Sequence, residues 1–267
     1  MRAAVVQLSS TDDAERNLSR SAHWIGHAAS AGAELVALPE NFPYLRREDA
    51  ERNPLAQDLD GPIVAFLREQ AKLHGIVLAG GTLPEAIPND ARVYNTSVVV
   101  DRDGSVRGVY RKIHLFDVSL SDVGLQESKT VAAGDEIVVA ETGAGVLGLS
   151  ICYDLRFPEL YRALISRGAR VLLVPSAFTV PTGRDHWEVL LRARAIENQA
   201  YVLAAAQYGI HSETRRSYGR SMIIDPWGTV LATVPDGEGF AVAELDFERL
   251  ERLRLELPAL RNRRLEV

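Results

Sequence analysis

Three side chains of different chemistry each follow an apolar, strand-like run. Cys152, the only cysteine, stands in Gly148-Leu149-Ser150-Ile151-Cys152-Tyr153-Asp154-Leu155-Arg156-Phe157-Pro158, after the run Val146 to Ile151. Glu40 stands in Leu38-Pro39-Glu40-Asn41-Phe42, after Leu35 to Leu38. Lys112 stands in Tyr110-Arg111-Lys112-Ile113-His114-Leu115-Phe116-Asp117, after Val106 to Tyr110. A thiol, a carboxylate and an amine at three strand ends would be a nucleophile with its base and its electrostatic partner. The carboxylate can take the thiol proton, and the ammonium favours negative charge on sulfur and on an attacked carbonyl oxygen. A nucleophile on a sharp strand-to-helix turn stays exposed, and Pro158 suits the first position of the helix that would follow. Most free cysteines are small buried hydrophobes, so position alone leaves the two readings of Cys152 balanced. The glutamate and lysine segments tip it toward the nucleophile.

The elements that must position these groups alternate between strand and helix, which predicts a layered α/β fold. Strands are expected at Arg2 to Leu8, Glu34 to Leu38, Ile76 to Ala79, Arg92 to Val100 and Val106 to Arg111, with a hairpin turn at Asp101-Arg102-Asp103-Gly104. Further strands are expected at Arg170 to Val174, Tyr201 to Ala206, Arg220 to Ile224, Val230 to Val234 and Ala241 to Glu244. Helices are expected over Asp13 to Ala31, Gly61 to Leu73, Pro158 to Arg167 (closed by Gly168) and Arg184 to Gln199. Gly32-Ala33-Glu34-Leu35-Val36-Ala37-Leu38-Pro39-Glu40 echoes Gly168-Ala169-Arg170-Val171-Leu172-Leu173-Val174-Pro175-Ser176. Helix–glycine–strand joins are common, but the proline at one offset favours two related halves, placing Glu40 and Ser176 across a shared crevice.

Taken together, the three motifs resemble the nitrilase, or carbon–nitrogen hydrolase, superfamily, whose members carry a Glu-Lys-Cys triad in this chain order. The resemblance runs from Ala3-Ala4-Val5-Val6-Gln7-Leu8 to the Asp225-Pro226-Trp227-Gly228 turn. It implies an αββα sandwich, with Glu40, Lys112 and Cys152 as the triad. It also implies a second glutamate after the lysine, which matches Glu127 in Leu125-Gln126-Glu127-Ser128. Lys112 and the backbone N–H of Tyr153 would hold the oxyanion. Two departures from the family pattern, at Ser119-Leu120-Ser121-Asp122 and Ala133-Gly134, leave this loop's path open. Within the superfamily, Pro175 to Gly183 with His186-Trp187-Glu188 looks most like the branch that cleaves deaminated glutathione as metabolite repair. Omega-amidases, which act on 2-oxoglutaramate, are the sister branch. Both substrates are small anionic amides, so a cationic pocket is expected, with Arg46, Arg47, Arg156 and Arg184 as candidates. Tyr153, Arg156, Phe178 and Thr179 are the expected substrate-binding residues. Family resemblance further implies a homodimer or higher even oligomer through the helices that carry Leu160, Tyr161, Leu164, Trp187, Leu190 and Leu191.

Composition narrows the alternatives. At 267 residues, with no Gly/Ser/Pro-rich linker, one domain over 1–267 is expected. A net charge of −6 argues against a nucleic-acid surface. No apolar run approaches membrane-spanning length, no signal-peptide core opens the chain, and one cysteine fits a reducing compartment, so a cytoplasmic protein is expected. The six histidines are scattered and the glycines form no phosphate loop, so neither a metal nor a cofactor is expected. A papain-like protease would need a different cysteine context. A non-catalytic scaffold would usually have lost a triad member.

Overall fold

Several strands are apolar at every position rather than at alternate ones, because both faces of each are covered. In the computed structural model, which describes residues 1–46, 53–120 and 123–265, Leu35–Ala37, Val77–Ala79, Val171–Leu173 and Tyr201–Ala204 are buried throughout. Side chains alternate across the sheet, so each strand serves two cores. Ala4, Val6, Val36 and Leu78 meet Ile25 and Ala28 of helix α1 (Ala14–Ser30) and Ile63, Val64 and Leu67 of α2 (Pro62–His74). Their neighbours Ala3, Val5, Leu35, Ala37, Val77 and Ala79 join the other core, with Leu147, Leu149, Val171 and Leu173 of a second sheet. Helices α3 (Pro158–Ser166) and α4 (Val180–Asn198) cover the far side of that second sheet. The layers are therefore α, β, β, α, as the sequence resemblance implies.

The first sheet runs Gly239–Glu244, Arg2–Gln7, Leu35–Ala37, Val77–Ala79, Val93–Val100, Leu83–Ala86, with Val106–Arg111 and Val131–Ala132 also paired to Val93–Val100. The second runs Val139–Thr142, Gly145–Leu149, Val171–Leu173, Tyr201–Ala204, Met222–Ile224, Val230–Thr233. Each has a parallel trio at its centre. The two echoing segments are the middle strands of those trios. Leu38 N–H donates to Ala79 O and Val174 N–H to Leu203 O, both at 2.9 Å. Pro39-Glu40 and Pro175-Ser176 thus leave equivalent corners of the two sheets.

Several elements differ from expectation. Helix α4 begins at Val180 rather than Arg184, with Thr179 as N-cap and Pro181 in the first turn, where a proline costs no hydrogen bond. Helix α5 (Phe247–Glu256) was not expected, although Asp246 caps it by accepting from Arg249 N–H at 2.9 Å. Two short hairpins, Asp117–Leu120 with Val123–Gln126 and Tyr208–Ile210 with Arg216–Tyr218, were also not expected. Leu160, Tyr161, Leu164, Trp187 and Leu191 are buried in the core beneath α3 and α4, and Leu190 packs against it, so this stripe covers the chain's own sheet. Among the described residues no helix is long and apolar enough to cross a membrane.

Candidate active site

Cys152 follows the strand Gly145–Leu149 on a tight 3-10 turn, Cys152–Arg156, that leads into α3. Its φ of +48° is left-handed, a conformation that costs an L-residue about 1–2 kcal/mol. Surrounding bonds hold it there. Cys152 N–H donates to Pro175 O at 2.9 Å, and Ile151 N–H to Asp154 Oδ2 at 2.8 Å. Asp154 is fully buried and also accepts from Tyr110 OH at 2.7 Å and His114 N–H at 3.0 Å, with His114 Nδ1 at 2.7 Å. Tyr110 and His114 flank Lys112 in sequence, so one carboxylate fastens the cysteine turn to the lysine strand. The sequence reading did not single out Asp154.

Lys112 ends the strand Val106–Arg111 and is 2% exposed. Its Nζ lies 3.1 Å from Glu40 Oε1 and 2.9 and 3.1 Å from the Glu127 oxygens. Glu40 also accepts from Asn95 Nδ2 and from Ala177 N–H, both at 2.8 Å. The two equivalent sheet corners therefore meet at this carboxylate. Glu127 accepts in addition from Phe116 N–H at 2.7 Å. The lysine main chain is anchored too: Lys112 N–H donates to Asn95 O at 2.9 Å, and Gly134 N–H to Lys112 O at 2.8 Å. A Cβ at Gly134 would sit 2.4 Å from Arg111 O, so only glycine permits that approach. Asn95 and the Ala177 N–H were missed in sequence. Asn95 lies within a strand, and a backbone donor has no side-chain signature.

Burial pushes the Cys152 thiol well above its ordinary range, and Glu40 pushes it further; Lys112 and a bond from Ala177 oppose them without prevailing. Lys112 thus favours negative charge on sulfur, as expected, but burial and Glu40 outweigh it. Burial also opposes the Lys112 charge, but Glu127, Glu40 and Cys152 outweigh it and hold the ammonium. The arrangement is a neutral thiol hydrogen-bonded to a carboxylate, beside a locked cation. It can pass a proton from sulfur to Glu40 as the sulfur attacks, and it offers positive charge to an oxyanion.

The expected substrate-binding residues cluster at one side. Tyr153 meets Phe116 and Phe157 edge-on, with ring centroids 5.0 and 5.4 Å apart. The Arg156 guanidinium lies over the rings of Tyr153 (5.8 Å) and Phe178 (5.5 Å). Phe178 is 5% exposed and packs on Trp187, and Thr179 Oγ1 bonds Thr182 Oγ1 at 2.9 Å. Arg46 is half-buried and Arg184 is exposed, while Arg47 lies outside the described residues. Among the described residues no group of three or more His, Cys, Asp or Glu could hold a metal ion.

An αββα sandwich with Glu40, Lys112 and Cys152 converging at its centre is the architecture of one hydrolase class, and the chain belongs to it: residues 2–255 match the carbon–nitrogen hydrolase family. It is 44% identical to the deaminated glutathione amidase of Synechocystis sp., covering 98% of this chain and 97% of that one. The crystal structure of the Caenorhabditis elegans NitFhit protein superposes with a TM-score of 0.90 at 42% identity, over 98% of this chain and 65% of that longer one. Saccharomyces cerevisiae Nit3, a nitrilase-superfamily member, superposes with a TM-score of 0.89 at 35% identity, over 99% and 97% of the two chains.

Proposed function

We propose that this hydrolase is a thiol amidase that cleaves deaminated glutathione at the amide joining its 2-oxoglutaryl group to cysteinylglycine. The observation that carries the chemistry is Glu40, bonded to Lys112 on one oxygen and to Ala177 N–H on the other while it faces the Cys152 thiol. Glu40 removes the thiol proton as sulfur attacks the amide carbon. Lys112 and the Tyr153 N–H stabilise the tetrahedral oxyanion, a contribution of roughly 3–4 kcal/mol for a well-placed donor. Glu40 returns the proton to the departing amine, leaving a thioester on Cys152. Water activated by Glu40 then hydrolyses the thioester and releases 2-oxoglutarate. Glu127 touches the other side of the Lys112 ammonium and keeps its Nζ in place. Tyr153, Arg156, Phe178 and Thr179 border the acyl and leaving groups. No cofactor enters this scheme, and a reducing cytoplasm would preserve the thiol.

The similarity to curated deaminated glutathione amidases supports this substrate over 2-oxoglutaramate. In a release assay, kcat/KM should be higher for deaminated glutathione than for 2-oxoglutaramate, with an aliphatic nitrile and an N-carbamoyl amino acid slower still. The reverse ranking of the first two would make the chain an omega-amidase.

A homodimer is part of the same reading. Val189 and Ile196 stand seven residues apart on the outer face of α4 and are 67% and 50% exposed. Trp227, 59% exposed, sits on the turn that Arg192 Nε holds through Gly228 O at 2.8 Å. A two-fold axis would let this patch cover itself. Sedimentation equilibrium at micromolar concentration should give twice 29.3 kDa or an even multiple, and Ile196→Glu should shift the mass toward the monomer. A monomeric wild type would refute the dimer.

A further inference from the structure

The main chain around Glu40 is held on both sides. Asn41 N–H donates to Thr82 Oγ1 at 2.8 Å, and Glu40 O accepts from Gln207 Nε2 at 3.0 Å. Those bonds leave the carboxylate itself free to turn, because its last torsion is broad and roughly two-fold. Lys112 does not set that torsion. An ammonium is a point charge with no preferred plane, and this one is shared with both oxygens of Glu127. Asn95 has the directionality that Lys112 lacks. It stands on the strand Val93–Val100, is 5% exposed and presents a planar amide. Its Nδ2 lies 2.8 Å from Glu40 Oε1 and 3.4 Å from Glu127 Oε1. Its main-chain oxygen accepts the Lys112 N–H at 2.9 Å, so one residue aligns both the lysine backbone and the Glu40 side chain. Turned over, the amide would set its own oxygen against two carboxylates, so chemistry fixes which way it points. That orientation leaves Asn95 Oδ1 buried with no hydrogen-bond partner among the described residues, a cost to stability at the one place where the amide meets the base.

Each carboxylate oxygen has two acceptor sites. On Glu40 Oε1 both are filled, by Lys112 Nζ at 3.1 Å and Asn95 Nδ2 at 2.8 Å. Oε2 takes the Ala177 N–H at 2.8 Å and keeps one site open among the described residues. Ala177 lies two residues after Pro175, whose carbonyl holds the Cys152 N–H at 2.9 Å, so Oε2 is the oxygen on the cysteine's side. We infer that Asn95 is a positioning residue for the general base: it closes the second site on Glu40 Oε1, holds the carboxylate in one plane, and leaves Oε2 as the atom that takes the proton from Cys152 and returns it to the leaving amine. A neutral donor suits this place, since a second cation beside Glu40 would oppose the arriving proton. The inference rests on the thiol-amidase reading of the site, and it adds which oxygen carries the proton and what aims it.

Asn95→Leu keeps the shape of the amide without its donor. It should lose about 30-fold in kcat on deaminated glutathione, with KM within about 3-fold of wild type. It should also melt within a few degrees of wild type, because it removes the orphaned oxygen along with the donor. Asn95→Gln retains a donor and should recover part of the loss, and Asn95→Ala replaces the leucine variant should that one fail to fold. Glu40 handles a proton in both halves of the reaction, so rapid-quench mass spectrometry should show formation and hydrolysis of the Cys152 acyl adduct slowed alike. Alkylation of Cys152 by iodoacetamide, which needs no amide substrate, should slow by a similar factor in Asn95→Leu and further in Glu40→Gln. An unchanged kcat, a loss confined to KM, or slowing of acylation alone would overturn the inference. Alkylation that is slow in Glu40→Gln but normal in Asn95→Leu would leave Glu40 as the base and show that Asn95 does not aim it. If wild type fails on deaminated glutathione yet alkylation slows in Asn95→Leu, the substrate assignment falls and the role of Asn95 stands.

Discussion

Cys152→Ala should lose on the order of 10⁴-fold or more in turnover while melting within a few degrees of wild type. The loss follows because sulfur forms the bond that splits the amide hydrolysis into two easier steps, and no neighbouring side chain offers a second nucleophile at the same turn. The fold should survive because alanine keeps the backbone bonds from Cys152 N–H to Pro175 O and from Ile151 N–H to Asp154. Alanine also inherits the left-handed φ of +48° unchanged. Cys152→Gly removes that strain and should be at least as stable as Cys152→Ala. Intact-protein mass spectrometry of wild type quenched during turnover should show an acyl adduct that maps to Cys152. Full activity in the alanine variant would sink the assignment of the nucleophile.

Lys112→Met should do damage of two kinds. Turnover should fall by about 10³-fold, since the oxyanion loses its charged donor. Stability should fall as well, by about 3 kcal/mol at pH 8, because the buried Glu40 carboxylate and the partly exposed one of Glu127 would face each other with no ammonium between them. Glu127→Gln keeps the Lys112–Glu40 contact at 3.1 Å and should lose turnover with a smaller change in melting temperature. Thermal melts at pH 8, with turnover on the same samples, check this. A Lys112→Met protein as stable as wild type at pH 8 would show that the ammonium is not what reconciles the two carboxylates.

The convergence of Glu40, Lys112 and Cys152 was legible because each follows a strand; the ones before Glu40 and Cys152 read as apolar runs, whereas the one before Lys112, with Arg107 exposed, is only partly buried. The echo between residues 32–40 and 168–176 was legible for the same reason, and it marks the middle strand of each parallel trio. What holds the triad was not. Asp154 reads as one more polar residue after a cysteine, and three of its side-chain contacts reach across 40 or 44 positions to Tyr110 and His114, beside Lys112. Asn95 sits in a strand whose pattern says only that it is buried. The start of α4 was misplaced because Pro181, Thr182 and Gly183 are loop-formers in isolation, and a capped first turn accepts the proline. The apolar residues of α3 and α4 were legible as stripes, but a stripe does not say whether it faces its own sheet or a partner. It faces its own sheet here, and Val189 and Ile196 on the opposite side of α4 are the ones left in water.

The pairing of Arg2–Gln7 with Gly239–Glu244 has a consequence for how the molecule comes into being. Leu245 N–H donates to Met1 O at 2.7 Å, and the return bond from the Met1 amine to Leu245 O spans 244 positions of sequence. During synthesis the strand Arg2–Gln7 leaves the ribosome before Gly239–Glu244, and its outer edge waits for a partner until that later strand has been made. Loop closure over such a span adds only slowly to the entropic cost, but it places the completing contact late, after the second sheet has had time to form. In the interval the apolar row from Ala3 to Val6 is an open strand edge, the kind of surface that invites pairing with other chains. Glu40, Lys112, Glu127 and Cys152 are all present in a chain that stops short of residue 239, yet the sheet that carries the first two still lacks its border strand. Pairing with Gly239–Glu244 is therefore what closes that open edge.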